Sequence, residues 1–166
     1  MARVMLLFGG NVGDVPSRIE RGVALLTESV GEPLRLSSMM VSEAWGFNNE
    51  TPQFTNQAVE FTTTLTPEEL LEATQRAERE LGRDRASEAE EKLLRGERYA
   101  SRGVDIDIIF YDELIYQSER LTIPHPLMQE REFVLQPIVE IAPEWRNAKL
   151  GRSCRELLNE LTKESL

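Results

Sequence analysis

Residues 4–8 are apolar at every position, so both faces of an extended segment would be buried there, the pattern of a central strand. The run stops at Gly9-Gly10-Asn11-Val12-Gly13. Asp14, a good N-cap with Pro16 in the first turn, then opens a helix on which Ile19, Val23, Leu26 and Val30 recur at helical spacing. Gly31 and Pro33 end that helix. Residues 34–44 and 56–65 read as strands; in the second, Val59, Phe61, Thr63 and Leu65 alternate with Ala58, Glu60 and Thr62. A loop rich in Gly, Asn and Pro, from Gly46 to Gln53, separates them. Thr66-Pro67-Glu68-Glu69 is a capping box with proline at the first helical position, followed by an apolar stripe of Leu70, Ala73, Ala77 and Leu81. Gly82 is placed to close this helix. Residues 86–98 are charged and weakly periodic, either a mobile loop or a short surface helix around Glu90–Leu94. Residues 104–111 return to a strand pattern. A last helix opens with a capping box from Ser153 to Glu156 and carries Leu157, Leu158 and Leu161. The order strand, helix, strand, strand, helix, strand predicts an α+β ferredoxin-like sandwich, a mainly antiparallel sheet with helices and a C-terminal helical addition. With no repeat or linker along 1–166, one domain is expected.

Composition then removes whole classes of chemistry. The chain has 166 residues, 40% hydrophobic and 29% charged, ordinary values for a globular protein with a real core. No apolar run approaches a membrane span and the opening eight residues are too short for a secretory signal, so a cytoplasmic chain with no membrane partner is expected. Cys154 is the only cysteine, which leaves no internal disulfide and no cysteine-based zinc site. His125 is the only histidine, so any Ser-His or Cys-His catalysis would have to centre on it. The net charge of −10 argues against broad nucleic-acid binding, which needs a basic face. Yet Arg76, Arg79, Arg83, Arg85, Arg95, Arg98 and Arg102 crowd the middle of the chain, with Arg120 and Arg131 beyond. That distribution suits a small polyanion such as a nucleotide.

The sharpest chemical signal is Val104-Asp105-Ile106-Asp107-Ile108-Ile109-Phe110. Alternation on a strand puts Val104, Ile106, Ile108 and Phe110 on one face and both aspartates on the other, roughly 7 Å apart along the strand. Carboxylates at that spacing can converge on hard cations, and magnesium prefers such oxygen ligands alongside phosphate. A solvated strand face would also display two aspartates, but aspartate is disfavoured in strands, and a pair between strong β formers asks for a reason. Just upstream, Arg98-Tyr99-Ala100-Ser101-Arg102 offers guanidinium forks for phosphate oxygens, or a basic balance to the acidic run Glu88–Glu91.

The stretch Arg98-x-Ala100-Ser101-Arg102-x-x-Asp105-Ile106-Asp107-Ile108-Ile109 resembles the signature of the hydroxymethyl-dihydropterin pyrophosphokinases. In the same order, Gly9–Gly13 resembles that family's Gly-Ser-Asn-Leu-Gly loop, Phe54-x-Asn56-x-Ala58-Val59 its substrate segment, and Gln75-Arg76-x-Glu78 its nucleotide-binding helix. Gly82-Arg83-x-Arg85 resembles the start of its catalytic loop, and Arg120–Pro126 with Arg131-x-Phe133 resemble its later ligand contacts. The likeness covers roughly residues 4–145, and several spaced motifs agreeing is a specific signal. The family transfers the terminal diphosphate of ATP to the hydroxymethyl group of a reduced pterin and releases AMP, a step toward folate. The resemblance implies that Asp105 and Asp107 hold two magnesium ions. It implies ATP contacts from Gln75, Glu78, Arg85, Arg98, Arg102, Ile108, Arg120, Thr122, His125 and Arg131, with Arg83 and Arg102 steadying charge during transfer. It also implies a pterin site in which Phe54 and Phe133 sandwich the ring while Asn11, Glu43, Asn56 and Tyr99 complete it. The implied partners are thus ATP and a reduced pterin alcohol, with the oligomeric state open and a monomer favoured.

Taken singly, these residues have plainer readings. Isolated phenylalanines are more often core than ligand platforms, His125 between two prolines could fix a turn, and Asn11 and Asn56 could be local caps. The family's Thr-Pro-Pro-Leu-Gly pattern is absent around Glu43-Ala44-Trp45-Gly46-Phe47, Tyr99 stands where tryptophan is frequent, and Ala86–Glu97 is longer than usual. None of these departures removes a metal ligand. Rival expectations are a nucleotide-sensing or RNA-binding ferredoxin-like module and a γ-phosphoryl kinase. The composition of residues 83–102 suggests a lid that orders over both substrates.

Overall fold

The computed structural model describes residues 1–11, 13–42, 54–94 and 104–164, with the backbone alone at 83–94 and 164. The first half runs β1 (Ala2–Gly10), α1 (Val15–Ser29), β2 (Pro33–Leu36), β3 (Met40–Ser42), β4 (Phe54–Thr63), α2 (Pro67–Leu94) and β5 (Asp105–Tyr111). Beyond β5 come a small pair β6 (Tyr116–Gln117) and β7 (Thr122–Ile123), a 3-10 turn Met128–Glu130, and α3 (Glu132–Ile141). A second small pair β8 (Arg146–Asn147) and β9 (Arg152–Ser153) precedes α4 (Cys154–Glu164). The main sheet has the order β2-β4-β1-β5, with β3 also pairing β4, and every pairing is antiparallel. This is the expected ferredoxin-like arrangement, in which β1 is central.

Its all-apolar run is explained by helices on both sides. Val4, Leu6 and Phe8 face a core with Ile19 and Leu26 of α1 and Leu70 and Leu81 of α2. Met5 and Leu7 face a second core with Val134, Leu135 and Ile138 of α3 and Leu157 of α4. The capping boxes form as expected. Thr66 N–H donates to Glu69 Oε1 (2.9 Å) and Glu69 N–H to Thr66 Oγ1 (3.2 Å), and the Ser153–Glu156 pair repeats the exchange at 3.1 and 3.2 Å.

Three expectations need correction, and one helix was not expected at all. The predicted strand over 34–44 is two strands, because Ser37 interrupts the ladder: its Oγ accepts the Ala58 N–H (2.9 Å) where a backbone carbonyl would stand. Gly82 does not close α2, which runs on to Leu94. A glycine there costs about 1 kcal/mol, which the Arg, Ala, Glu, Lys and Leu that follow offset, and a Cβ at Gly82 would meet nothing within 4 Å. Phe110 does not share a face with Ile106 and Ile108. A bulge between Met5 and Leu6 leaves Ile109 unpaired, and Phe110 turns to the α3/α4 side to stack on Trp145 at 5.3 Å between ring centroids. Finally, α3 carries Pro137 in its interior, so no cap or period announces it in the sequence. Val134, Leu135, Pro137 and Ile138 are buried all the same, and tertiary packing outweighs the lost backbone bond.

Glu60 lies in β4 with no exposed surface, and Arg3 Nε donates to its Oε2 at 2.8 Å. Arg35 Nε stands 3.7 Å from Oε1, which has no hydrogen-bond partner among the described residues. Arg3→Ala should therefore cost on the order of 3 kcal/mol, since it strands a buried carboxylate. Urea denaturation reads that loss, and Glu60→Gln in the same background should recover part of it. A cleft of about 400 Å³ lined by Arg3, Arg35 and Trp145 opens at this end of β1. Arg3 covers the Trp145 ring at 4.7 Å and Trp145 Nε1–H donates to Asp112 O at 3.0 Å, so these groups hold the fold together.

Candidate active site

Strand register decides which predicted residues meet. Asn56 of β4 lies opposite Gly9 of β1, and Gly9 lies opposite Asp105 of β5; one step along, Ala58, Leu7 and Asp107 form the next row. Residues directly opposite, and those two apart, share a face. Phe54, Asn56, Asp105 and Asp107 are thus on one side of the sheet, the side that carries α3, beyond the part its apolar residues cover. Phe133 opens the first turn of α3 and Arg131 precedes it, with the guanidinium 5.7 Å from the Phe133 ring centroid. Phe54 is 38% exposed and Phe133 36%, so neither is a core residue.

A second group gathers at the open edge of β5. Gln75 and Glu78 lie one turn apart on α2. Arg120 donates to Gln75 Oε1 at 3.1 Å, and Glu78 Oε2 accepts the Ile106 N–H at 2.9 Å. Ile106 sits between the two aspartates, so Glu78 ties α2 to the strand segment that presents them. Sequence spacing gave no sign of this bond, because the two residues are 28 positions apart. Thr122 lies in β7, which packs on β5. Ile108 is 4% exposed in the α1/α2 core, so only its backbone is left to meet a ligand. Asn11 follows β1, half-buried. Glu43, Arg98, Tyr99 and Arg102, together with the side chains of Arg83 and Arg85, lie outside the described residues; of the expected lid, the backbone of 83–94 continues α2 and residues 95–102 lie outside the described residues.

The electrostatics centre on Asp107. Partial burial pushes its carboxyl above the ordinary aspartate range; the His125 charge opposes the shift, Asp105 adds to it and Arg131 opposes it. His125 is anchored by its backbone N–H to Ile109 O (3.0 Å), and its Nδ1 accepts the Leu127 N–H at 3.2 Å. The turn-fixing role and proximity to Asp107 therefore coexist. With Nδ1 committed as an acceptor, the neutral ring carries its proton on Nε2. Burial lowers the His125 pKa, against the attraction of Asp107 and with help from Arg131. Burial also pushes the Cys154 thiol up to about 12, which removes it as a nucleophile at neutral pH.

A divalent cation fits the paired aspartates. Two carboxylates share one face, and the charge on Asp107 is disfavoured by burial and by its neighbour. Among the described residues no group of three or more His, Cys, Asp or Glu could hold a metal ion. Magnesium needs few protein ligands, because it completes its octahedron with water and phosphate oxygens.

Comparison with known proteins identifies the family. Residues 5–143 match the model of the family described as 7,8-dihydro-6-hydroxymethylpterin-pyrophosphokinase (HPPK). The 2-amino-4-hydroxy-6-hydroxymethyldihydropteridine pyrophosphokinase of Synechocystis is 36% identical over 154 residues, covering 92% of this chain and 73% of that protein. The protein of the same name from Porphyromonas gingivalis is 38% identical over 146 residues, covering 86% and 92%. In fold, the crystal structure of Plasmodium falciparum HPPK-DHPS superposes with a TM-score of 0.71 at 14% identity, over 98% of this chain and 45% of that longer one. No helix among the described residues is long and apolar enough to cross a membrane. The chain belongs to the 7,8-dihydro-6-hydroxymethylpterin-pyrophosphokinase family.

Proposed function

We propose that Asp105 and Asp107 hold two magnesium ions between an ATP site along α2 and the β5 edge and a pterin site between Phe54 and Phe133. The reaction is the family's own: diphosphate passes from ATP to the hydroxymethyl group of 6-hydroxymethyl-7,8-dihydropterin, AMP is released, and the product serves folate biosynthesis. The observation that carries the placement is the row Asn56–Gly9–Asp105 across β4, β1 and β5. It sets a buried carboxamide and an acidic pair on one face, with the nucleotide-type residues Gln75, Glu78 and Arg120 just past the edge.

In this arrangement the two rings take the faces of the planar heterocycle, and Asn56, with Asn11, Glu43 and Tyr99 completing the set, reads its edge. Held by Asp105 and Asp107, magnesium would supply neutralisation of the phosphate charge that repels an incoming oxygen. Arg131 and the Nε2–H of His125 add donors toward phosphate oxygens near Asp107, and Arg120, Thr122 and the Ile108 backbone serve the rest of the nucleotide. Arg83, Arg85, Arg98 and Arg102 complete the cationic set. His125 is a donor here and not a base, since its free nitrogen already accepts the Leu127 amide. Catalysis then rests on positioning and charge neutralisation: the hydroxymethyl oxygen bonds to the β-phosphorus, the bond to the AMP oxygen breaks, and the hydroxyl proton leaves to water. We place the enzyme in the cytoplasm, a reading supported by its single, buried cysteine, and favour a monomer.

The test is direct. Incubated with magnesium, ATP and 6-hydroxymethyl-7,8-dihydropterin, the protein should produce AMP in step with pterin diphosphate. ADP instead would mean a γ-phosphoryl kinase, and ATP binding without turnover would mean a sensor module.

A further inference from the structure

We propose that Gly9 is a positioning residue for the pterin subsite, because its missing side chain is what lets the Asn56 carboxamide lie across β1. The inference rests on the reading of Asn56 as a pterin contact and adds the residue that holds it. A Cβ built on Gly9 would stand 2.3 Å from Asn56 Oδ1 and 3.4 Å from its Cγ. No real Cβ tolerates the first distance. The next atom, Thr55 O, is 3.7 Å away, an ordinary contact, so the Asn56 side chain alone excludes a larger residue. Backbone conformation gives no competing reason for glycine. Gly9 is a regular strand residue paired on both sides and is not among the glycines with positive φ, which among the described residues are Gly13, Gly31 and Gly151.

Two further facts tie this contact to ligand binding. Asn56 is only 3% exposed, yet its Nδ2 has no hydrogen-bond partner among the described residues. A buried amide without a partner costs stability, and burying it is explained when a ligand supplies the acceptor. The same row continues to Asp105, so the orientation held at Gly9 aims the carboxamide along the face where the acidic pair stands. Alanine at position 9 would turn the Asn56 side chain away and remove the donor from the heterocycle's edge while leaving the nucleotide residues on α2 untouched.

The experiment compares Gly9→Ala, Asn56→Ala and the double variant. Binding of 6-hydroxymethyl-7,8-dihydropterin and of a non-hydrolysable ATP analogue is measured by calorimetry, and stability by thermal unfolding. Gly9→Ala and Asn56→Ala should each weaken pterin binding about 10-fold, the loss expected for one unmade hydrogen bond to a buried group, with ATP-analogue affinity unchanged. In the double variant the overlap is gone, so its pterin affinity should equal that of Asn56→Ala alone, and it should fold at least as stably. Gly→Ala in a strand is otherwise neutral to favourable, which makes a loss diagnostic. Unchanged pterin affinity in Gly9→Ala, or losses that add in the double variant, would overturn the role of Gly9. So would a double variant that fails to fold, because the obstacle would then not be Asn56. If Asn56→Ala itself binds pterin normally, the subsite reading falls and takes this inference with it.

Discussion

Asp107→Asn should lower turnover by about 10²–10³-fold or more, the scale of losing a preorganised charge-stabilising element, while the metal-free protein becomes more heat-stable. Asparagine keeps the shape of the side chain and removes its charge. In the folded chain the carboxyl of Asp107 is raised, by burial first and by Asp105 as well, although His125 and Arg131 pull against the shift. A carboxyl raised by folding contributes stability below its unfolded pKa and loses it as pH rises through the folded value. Above its folded pKa the ionised Asp107 therefore works against the fold, and its neutral replacement relieves that cost. The wild-type melting temperature should also rise on adding magnesium with an ATP analogue, and that rise should shrink in the variant. Differential scanning calorimetry with and without the two ligands reads both effects. Near-normal turnover at low magnesium, or a full ligand-induced rise in the variant, would sink the assignment of Asp107 as a metal ligand. Asp105→Asn should lose turnover on the same scale.

The second large effect is expected at the two exposed rings. Phe54→Ala and Phe133→Ala should each weaken pterin binding by about 1–3 kcal/mol, roughly 5- to 150-fold, the range for truncating an aromatic platform under a planar base. ATP affinity should hardly move, since Gln75, Glu78 and Arg120 lie past the sheet edge. Stability should hardly move either: both rings are more than a third exposed, and Phe54 begins its strand while Phe133 sits in the first turn of α3. Phe110 shows what a structural phenylalanine looks like in this chain, fully buried and stacked on Trp145. Phe133→Ala also removes the Arg131 guanidinium's contact with the ring, so Phe133→Leu, which keeps bulk but loses both the stacking face and that contact, is compared with Phe133→Tyr, which keeps both and should bind pterin nearly as the wild type does. Folded variants that retain wild-type pterin affinity would return both residues to a structural role.

What the chain declared by itself was whatever depends on neighbours three or four positions away, or on strict alternation. Asp14 caps α1, Thr66 exchanges hydrogen bonds with Glu69 and Ser153 with Glu156, because each cap closes within one turn. The facing of Asp105 and Asp107 followed from a period of two, and the spaced motifs pointed to the family. Tertiary structure decided the rest. The bulge that turned Phe110 away from Ile108 arises between β1 and β5, two strands a hundred residues apart in the chain. The helix α3 forms around Pro137 because the sheet face of Met5 and Leu7 needs covering, a demand no window around residue 137 contains. Asn56, Gly9 and Asp105 become neighbours only through strand order, and Glu78 meets Ile106 only where α2 passes the edge of β5. Local signals are written in short sequence because the backbone bonds they satisfy are short. The site is assembled from strand register, and register is settled by which faces the helices bury.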